Sequence, residues 1–318
     1  MFLFMKLIFT FLLPGLLLLS AISCTKEEER KTFPLSAEIF HSVDGKQVAF
    51  TALTHSAVSW EWDFGDGSSS TEKNPVHVYS DGGYYLATLT AKDAGGNSVT
   101  KEVTLALELT PYAMLTGDYT AEGYQGKTWK LTANHSNSGD YFANADAGFS
   151  PVDGTPVPLP TGIFDLEFGM GAIYKDEFTF HFDGSYEHDV KEDNASFGGI
   201  VYQLLTNGGA DIVNANGQDF GLCIAKYTPE ANATFTFNPQ EDYTVSSVYG
   251  PGGQLTYKDV STLDFSGTEF IGFRDFERKV IVKQISNEKM QLAMFMAASP
   301  DYPSINTNAV LLSFEVVK

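Results

Sequence analysis

The sequence has 318 residues, with 40 acidic side chains against 20 Lys and Arg, and therefore a formal net charge of −20. This balance argues against nucleic-acid binding and against docking on anionic lipid, since both need a basic surface. An aromatic content of 14%, with 29 Gly and 2 Cys, predicts a folded β-protein of about two domains, stabilised by its core rather than by a disulfide framework.

Residues 1–23 have the composition of a secretory signal peptide. One positive charge, Lys6, precedes an apolar run over 7–19 that is interrupted by Thr10, Pro14 and Gly15. Such a run is too short and too interrupted for a transmembrane helix and suits the apolar region of a signal peptide.

The signal ends in Ala21-Ile22-Ser23-Cys24, which resembles the bacterial lipobox. The resemblance implies that Cys24 is lipidated and becomes the mature N-terminus. The other interpretation is an ordinary signal peptide that is cleaved near Cys24.

Residues 24–35 are interpreted as a lipidated, acidic linker. Lys26, Glu27, Glu28 and Glu29 follow the cysteine and resemble the surface-export signal of Bacteroidota lipoproteins. The resemblance implies a protein anchored in outer-membrane lipid that faces the cell exterior. A solvated charge run is the alternative.

Residues 36–108 alternate between apolar and polar side chains with the two-residue period of β-strands. The alternation places Val48, Phe50 and Ala52 on one strand face. It also places a later set on one face, namely Val58, Trp60, Trp62 and Phe64.

The motif Trp62-Asp63-Phe64-Gly65-Asp66-Gly67, followed by Asn74-Pro75 and by 85–93, resembles the PKD domain. The resemblance implies an immunoglobulin-like β-sandwich over 36–108 that acts as a spacer. In that context Asp63 and Asp66 are expected to accept turn N–H groups rather than to act with Glu61 as glucanase carboxylates.

Residues 109–318 contain short apolar runs separated by Gly, Pro, Asn and Asp. This pattern predicts an all-β domain, with a larger, jelly-roll-like β-sandwich as the main expectation and a lipocalin-like barrel as the alternative. The predicted strands include 128–131, 177–182, 234–237, 279–283, 290–295 and 311–316.

A hairpin is predicted around Asp183-Gly184. If Gly184 occupies a bulge position, Phe180 pairs with Tyr186 and Phe178 with His188. A two-residue turn would instead pair Phe180 with Glu187 and bury a charge, so the bulged register is favoured.

Two long irregular stretches, 133–171 and 198–221, interrupt these strands, and long loops in a compact domain are usually functional or mobile. Their aromatic rings suit the CH face of a sugar, and their amides and carboxylates suit its hydroxyls. The candidate glycan-binding residues are Tyr141, Phe142, Phe149, Tyr202, Asn134, Asp140 and Asn144, with Tyr302 in a later loop. Trp129 is a further candidate, although its alternation with Leu131 favours the core.

The second domain resembles modules that follow PKD domains in surface lipoproteins of Bacteroidota polysaccharide-utilisation systems. The similarity lies in 126–131, in the hairpin over 176–186, and in 270–273 with the strands after it. It implies a monomeric surface glycan-binding protein that captures a polysaccharide, for example a β-glucan such as laminarin, for a neighbouring transporter.

No catalytic residue, metal ligand or cofactor is predicted, because the sequence has no zinc-protease helix motif, nucleophile elbow or phosphate-binding loop. His181 and His188 are expected on opposite faces of the hairpin, as a surface and a rim side chain, and Cys223 is expected to be a buried, inert thiol. An acid pair or a structural calcium site stays open at Asp165, Glu167, Asp176 and Glu177. The alternative functions are a surface glycoside hydrolase with a PKD spacer and a structural adhesin.

Overall fold

The computed structural model describes residues 33–155 and 157–318. The signal peptide, Cys24 and the export residues Lys26 to Glu29 lie outside the described residues. Within the described part, no helix combines the length and the apolar character needed to cross a membrane.

The first domain consists of two antiparallel sheets that pack face to face, with the strand orders β1-β2-β5 and β4-β3-β6-β7. Its strands are β1 (Ser36–Asp44), β2 (Gln47–His55), β3 (Ala57–Asp63), β4 (Ser69–Ser70), β5 (Val76–Val78), β6 (Gly83–Asp93) and β7 (Ser98–Leu107). The predicted inward residues of β2, Val48, Phe50 and Ala52, are buried. The two-residue alternation therefore identified the core face of this sandwich.

The prediction for Val58 is wrong. Trp62 and Phe64 are buried, whereas Val58 is 60% exposed. The pairing of β3 with β6 shifts register between Ala57 and Ser59, and this bulge reverses the side on which Val58 points.

The turn after β3 is built as predicted. Asp63 Oδ1 accepts the Gly65 N–H at 2.9 Å, and Asp66 Oδ1 accepts the Ser68 N–H at 2.9 Å. Gly65 and Gly67 have φ of 78° and 85°, a region that glycine enters without a Cβ clash. These carboxylates therefore stabilise a turn.

The second domain is a larger β-sandwich that also contains four short α-helices. Its strands are β8 (Lys127–Leu131), β9 (Tyr141–Asn144), β10 (Glu177–Phe180), β11 (Tyr186–Asp189), β12 (Ala195–Gly199), β13 (Ile212–Asn214), β14 (Leu222–Lys226), β15 (Phe235–Ser246), β16 (Gln254–Phe265), β17 (Val280–Ile285), β18 (Lys289–Met296) and β19 (Asn308–Val316). Its helices are α1 (Pro111–Thr116), α2 (His135–Ser138), α3 (Ile163–Leu166) and α4 (Ile200–Asn207), and its 3₁₀ turns are Gly171–Tyr174, Lys191–Asp193, Gln218–Phe220 and Pro251–Gly253.

A nine-stranded sheet dominates this domain, with the order β11-β10-β8-β19-β18-β17-β16-β15 and with β9 paired to β19. Both of its faces are apolar, because alternate residues of β18 enter different clusters. Leu292 and Met294 belong to the main core, and Ala293 and Phe295 to a second cluster on the other face. The small sheet β12-β14-β13 adds Phe197 and Ile224 to the main core.

The large sheet curls until its two ends meet. Ser185, before β11, forms a bridge with Thr234, before β15, and the Tyr186 N–H donates to the Ala233 carbonyl at 2.9 Å. The two edges of the large sheet are thus joined by backbone hydrogen bonds. Large side chains such as Trp129, Phe180 and Phe314 fill the interior.

The bulged register of the β10–β11 hairpin is confirmed. Phe180 pairs with Tyr186 and Phe178 with His188, and Gly184 has φ of 89°. The prediction of a rim position for His188 is wrong, because its imidazole is buried beside Glu269.

The structure contains elements that the sequence analysis did not predict. The stretch 133–171 contains α2, β9 and α3, and the stretch 198–221 contains α4 and β13. Strand β16 also was not predicted. Its mixed composition obscures the alternation, and its pairing with both β15 and β17 supplies the order that local sequence does not.

Candidate functional site

A cleft of about 410 Å³, called here the loop cleft, lies where three distant segments of the second domain meet. These segments are β9 with the chain that follows it, the 3₁₀ turn before β14, and the adjoining ends of β18 and β19. The lining residues are Tyr141, Phe142, Pro151, Val152, Asp153, Thr155, Val157, Leu159, Gln218, Asp219, Phe220, Gly221, Met296, Ala298 and Asn308.

Strand β9 contributes two of the predicted aromatic residues to the lining of this cleft. The ring of Phe142 packs on the main core beside the lining residue Met296, whereas the ring of the adjacent Tyr141 packs against the second cluster on the other face of the sheet. Tyr141 pairs with Leu311 and Phe142 with Val310 of β19, so that both half-buried rings are fixed on a rigid sheet. The Tyr141 hydroxyl donates to the Phe149 carbonyl at 3.0 Å. Burial, with the nearby charge of Asp146, raises the pKa of Tyr141, so this group stays a neutral hydrogen-bond donor.

The rim of the loop cleft exposes apolar side chains. Val157 is 72% exposed, Phe220 56% and Val152 47%. The ring of Phe220 lies 5.4 Å from that of Phe168, and Asn216 Nδ2 donates to the Phe168 carbonyl at 3.0 Å. The rim therefore presents a supported apolar surface to solvent, as binding sites do more often than ordinary protein surface.

The floor of the cleft depends on a glycine. Gly221 has φ of 79°, and a Cβ at this position would lie 3.2 Å from the Ala298 Cβ and 3.3 Å from the Met296 sulfur. The turn at 218–221 can therefore approach the end of β18 closely. This approach carries Gln218, Asp219 and Phe220 to the cleft.

The polar groups of the cleft are carboxylates, amides and hydroxyls. Asp153, Gln218 and Asp219 are exposed, and within the described residues their side chains accept and donate no hydrogen bond. Asn308 Oδ1 accepts a hydrogen bond from Thr307 Oγ1 at 2.9 Å. The free groups can bond to the hydroxyls of a ligand whose apolar face contacts the rings.

Asp140 supports the cleft wall from inside the core. Its carboxylate accepts from His135 Nδ1 at 2.8 Å, from the Ser313 N–H at 3.0 Å and from the Ser313 hydroxyl at 2.6 Å. Gln291 Nε2 donates to it at 3.1 Å, and the Asp140 carbonyl accepts the N–H of the lining residue Leu159 at 2.7 Å. Asp140 thus positions the wall and is fully buried.

Trp129 and Phe149 also lie in the core. Trp129 is fully buried, and its Nε1 donates to the Leu115 carbonyl at 2.9 Å. Phe149 stacks on Tyr257 at 4.9 Å. Neither ring is accessible to a ligand in this structure.

The remaining predicted residues lie outside the cleft lining. Asn134 accepts from Asn137 Nδ2 beside α2, and Asn144 Oδ1 accepts from the Tyr249 hydroxyl. Tyr202 lies under the Arg274 guanidinium at 5.3 Å from the ring centroid. Tyr302 is exposed in its loop.

Of the lining residues, sequence reasoning predicted Tyr141 and Phe142 and missed the others, among them five exposed residues, Val152, Val157, Gln218, Asp219 and Phe220. Four of them are ordinary loop residues, and nothing in their local pattern distinguishes them. Phe220 directly precedes the apolar residues 222–225 in the sequence, but the positive φ of Gly221 separates its exposed ring from the buried strand β14. The sequence signal that marks the exposed position of Phe220 is Gly221, the glycine at the boundary between the turn and β14.

The described residues contain no group of three His, Cys, Asp or Glu side chains placed to hold a metal ion. Burial raises the pKa of Asp176 to about 8 and that of Asp275 to about 7, and neither carboxyl lines the cleft. Cys223 is buried, as predicted, and burial raises the pKa of its thiol to about 12. A thiol of this kind is unreactive at neutral pH.

Residues 41–107 match the family model of the PKD domain, which confirms the predicted identity of the first domain. Collagenase ColA of Bacillus cereus is 41% identical over 54 residues, which are 17% of this chain and 6% of the collagenase. The PKD1 domain of Vibrio anguillarum Epp is 30% identical, covers 25% of this chain and 100% of that domain, and superposes with a TM-score of 0.24. The chain therefore spans about 6% of the length of that curated relative.

A solved structure described as the structural basis for the promiscuous specificity of carbohydrate-binding modules from the β-sandwich superfamily covers 90% of this chain and 92% of its own. The identity is 12% and the TM-score 0.25. A superposition of this quality carries no inference about what the second domain binds.

Proposed function

We propose that the protein binds an extracellular polysaccharide non-catalytically through the loop cleft. The observation that carries this proposal is the combination, in one open cleft, of accessible rings with unpaired carboxylate and amide groups. Sugars present CH-rich faces and many hydroxyls, so this combination complements both parts of their surface.

The position of the acid groups supports binding rather than hydrolysis. Glycoside hydrolysis needs a carboxylic acid that stays protonated near the scissile bond, paired with a second carboxylate. The carboxyls whose pKa burial raises to about 8 and 7, Asp176 and Asp275, are separate from the cleft. A hydrolase with a PKD spacer is therefore the less favoured function.

The remainder of the proposal follows from the sequence motifs. Cys24 carries a lipid that anchors the chain in the outer membrane, and Lys26 to Glu29 direct the chain to the cell exterior. The PKD domain separates the binding domain from the membrane. A β-glucan such as laminarin is the proposed ligand, and a neighbouring glycan transporter is the proposed recipient.

The test is affinity electrophoresis of residues 25–318 in gels that contain a panel of neutral polysaccharides, with an assay of reducing ends over time. Binding predicts slower migration without released sugar, whereas released sugar indicates the hydrolase and unchanged migration with every polysaccharide contradicts binding.

A matched pair of variants locates the site. Phe220→Ala removes a 56% exposed ring at the cleft, and Phe40→Ala removes a 59% exposed ring in the PKD domain. Loss of one stacked ring weakens binding by roughly tenfold, so only the first variant is expected to migrate faster in the glycan gel. Equal behaviour of the two variants would place the site elsewhere.

A further inference from the structure

The three segments that build the loop cleft contain no lysine or arginine and a single, buried histidine. Residues 131–174, 192–225 and 290–317 include no Lys or Arg, so all 20 of these residues lie elsewhere in the sequence. The same segments carry five, four and two acidic residues respectively. Their histidine, His135, is fully buried against Asp140.

The lining of the cleft shows the same excess of acidic over basic side chains. Its lining includes Asp153 and Asp219 and no Lys, Arg or His. Arg274 is not a lining residue, and its guanidinium lies against the rings of Tyr202 and Tyr227 at 5.3 Å and 4.8 Å. A bound carboxylate or sulfate would therefore meet two like charges and no compensating cation.

We propose that the loop cleft selects polysaccharides by charge, accepting neutral or amino-bearing chains and rejecting uronate or sulfated ones. The inference rests on the proposed function and specifies its ligand class. A negative charge on the ligand that lies roughly 7 Å from one carboxylate in water lowers the affinity by about threefold. The two carboxylates of the cleft together lower the affinity by about tenfold at low salt. Because the carboxylates are solvent-exposed, salt screens this effect.

The experiment compares polymers with the same backbone and different charge, using residues 25–318 and isothermal titration calorimetry. The pairs are laminarin with carboxymethyl laminarin, and hydroxyethyl cellulose with carboxymethyl cellulose. In about 10 mM salt the neutral member of a bound pair is expected to bind about tenfold more tightly. The difference is expected to shrink several-fold in about 500 mM salt.

A double variant assigns the effect to the cleft. Asp153→Asn with Asp219→Asn keeps the side-chain shape and is expected to bring the two affinities within about twofold. The control, Glu288→Gln, removes an exposed carboxylate beyond the opposite end of β18, a strand that spans about 23 Å at roughly 3.3 Å per residue, and is expected to leave the discrimination unchanged.

The outcomes separate the two proposals. Equal binding of neutral and anionic polymers at low salt, or discrimination that survives the double variant, overturns charge selection and leaves glycan binding standing. Failure of every neutral polysaccharide in the panel to bind overturns the proposed function itself, and charge selection falls with it. Discrimination that the double variant removes and the control retains supports both proposals.

Discussion

Replacing Asp140 by alanine is expected to unfold the second domain at a lower temperature rather than to remove a ligand contact. The carboxylate accepts the Ser313 N–H, the Ser313 hydroxyl, His135 Nδ1 and Gln291 Nε2. These donors come from α2, β18 and β19, so the one carboxylate joins the helix to two neighbouring strands. Alanine leaves them buried without an acceptor.

The magnitude follows from that geometry. A buried donor left without an acceptor costs about 1–3 kcal/mol, so the loss of an acceptor that serves four donors costs at least about 3–5 kcal/mol. In a domain of about 200 residues, 1 kcal/mol corresponds to roughly 2–4 °C in Tm. A decrease of about 10 °C in the Tm of the second domain is therefore expected, measured by differential scanning calorimetry of residues 25–318.

Asp301→Ala is the control, because Asp301 is exposed and its loss is expected to change the free energy of unfolding by less than about 0.5 kcal/mol. A decrease below about 2 °C in Asp140→Ala would refute the structural role. A variant Asp140→Asn that keeps its Tm and loses glycan affinity would show instead that Asp140 contacts the ligand, as the sequence analysis proposed.

The remaining predictions concern a core ring, a buried acid and the lipid anchor. Phe149→Ala removes a ring stacked in the core and is expected to cost about 3–5 kcal/mol of stability. Phe142→Ala removes a half-buried ring of the cleft and is expected to lower glycan affinity about tenfold. Calorimetry and gel retardation of both variants distinguish these roles, and a reversed pattern contradicts them. Burial raises the pKa of Asp176 to about 8, so its contribution to stability is complete below pH about 4 and is lost as the pH rises towards 8. Asp176→Asn is therefore expected to melt at a higher temperature than the parent at pH 8 but not at pH 4, and an equal Tm difference at both pH values would contradict this. Cys24→Ala is expected to abolish incorporation of labelled fatty acid, and retained label would exclude Cys24 as the lipidated residue.

The sequence by itself determined the features that depend on local pattern. The two-residue period identified the buried faces around Val48 to Ala52 because adjacent side chains of a strand point to opposite sides of the sheet. The turn motif 62–67 identified the PKD domain. The cost of burying Glu187 selected the hairpin register of Phe180 and Tyr186, and this reasoning needs only the hairpin itself.

Only the tertiary structure decided which loop residues form a site. The lining residues at 141–159, 218–221 and 296–308 meet because β9 pairs with β19 and because the turn before β14 contacts the end of β18. Nothing in the local sequence separates Phe149, which packs on Tyr257, from Phe142, which faces the cleft. A loop aromatic becomes core or surface according to the residues that long-range strand pairing brings against it, and the period of its own segment does not encode them.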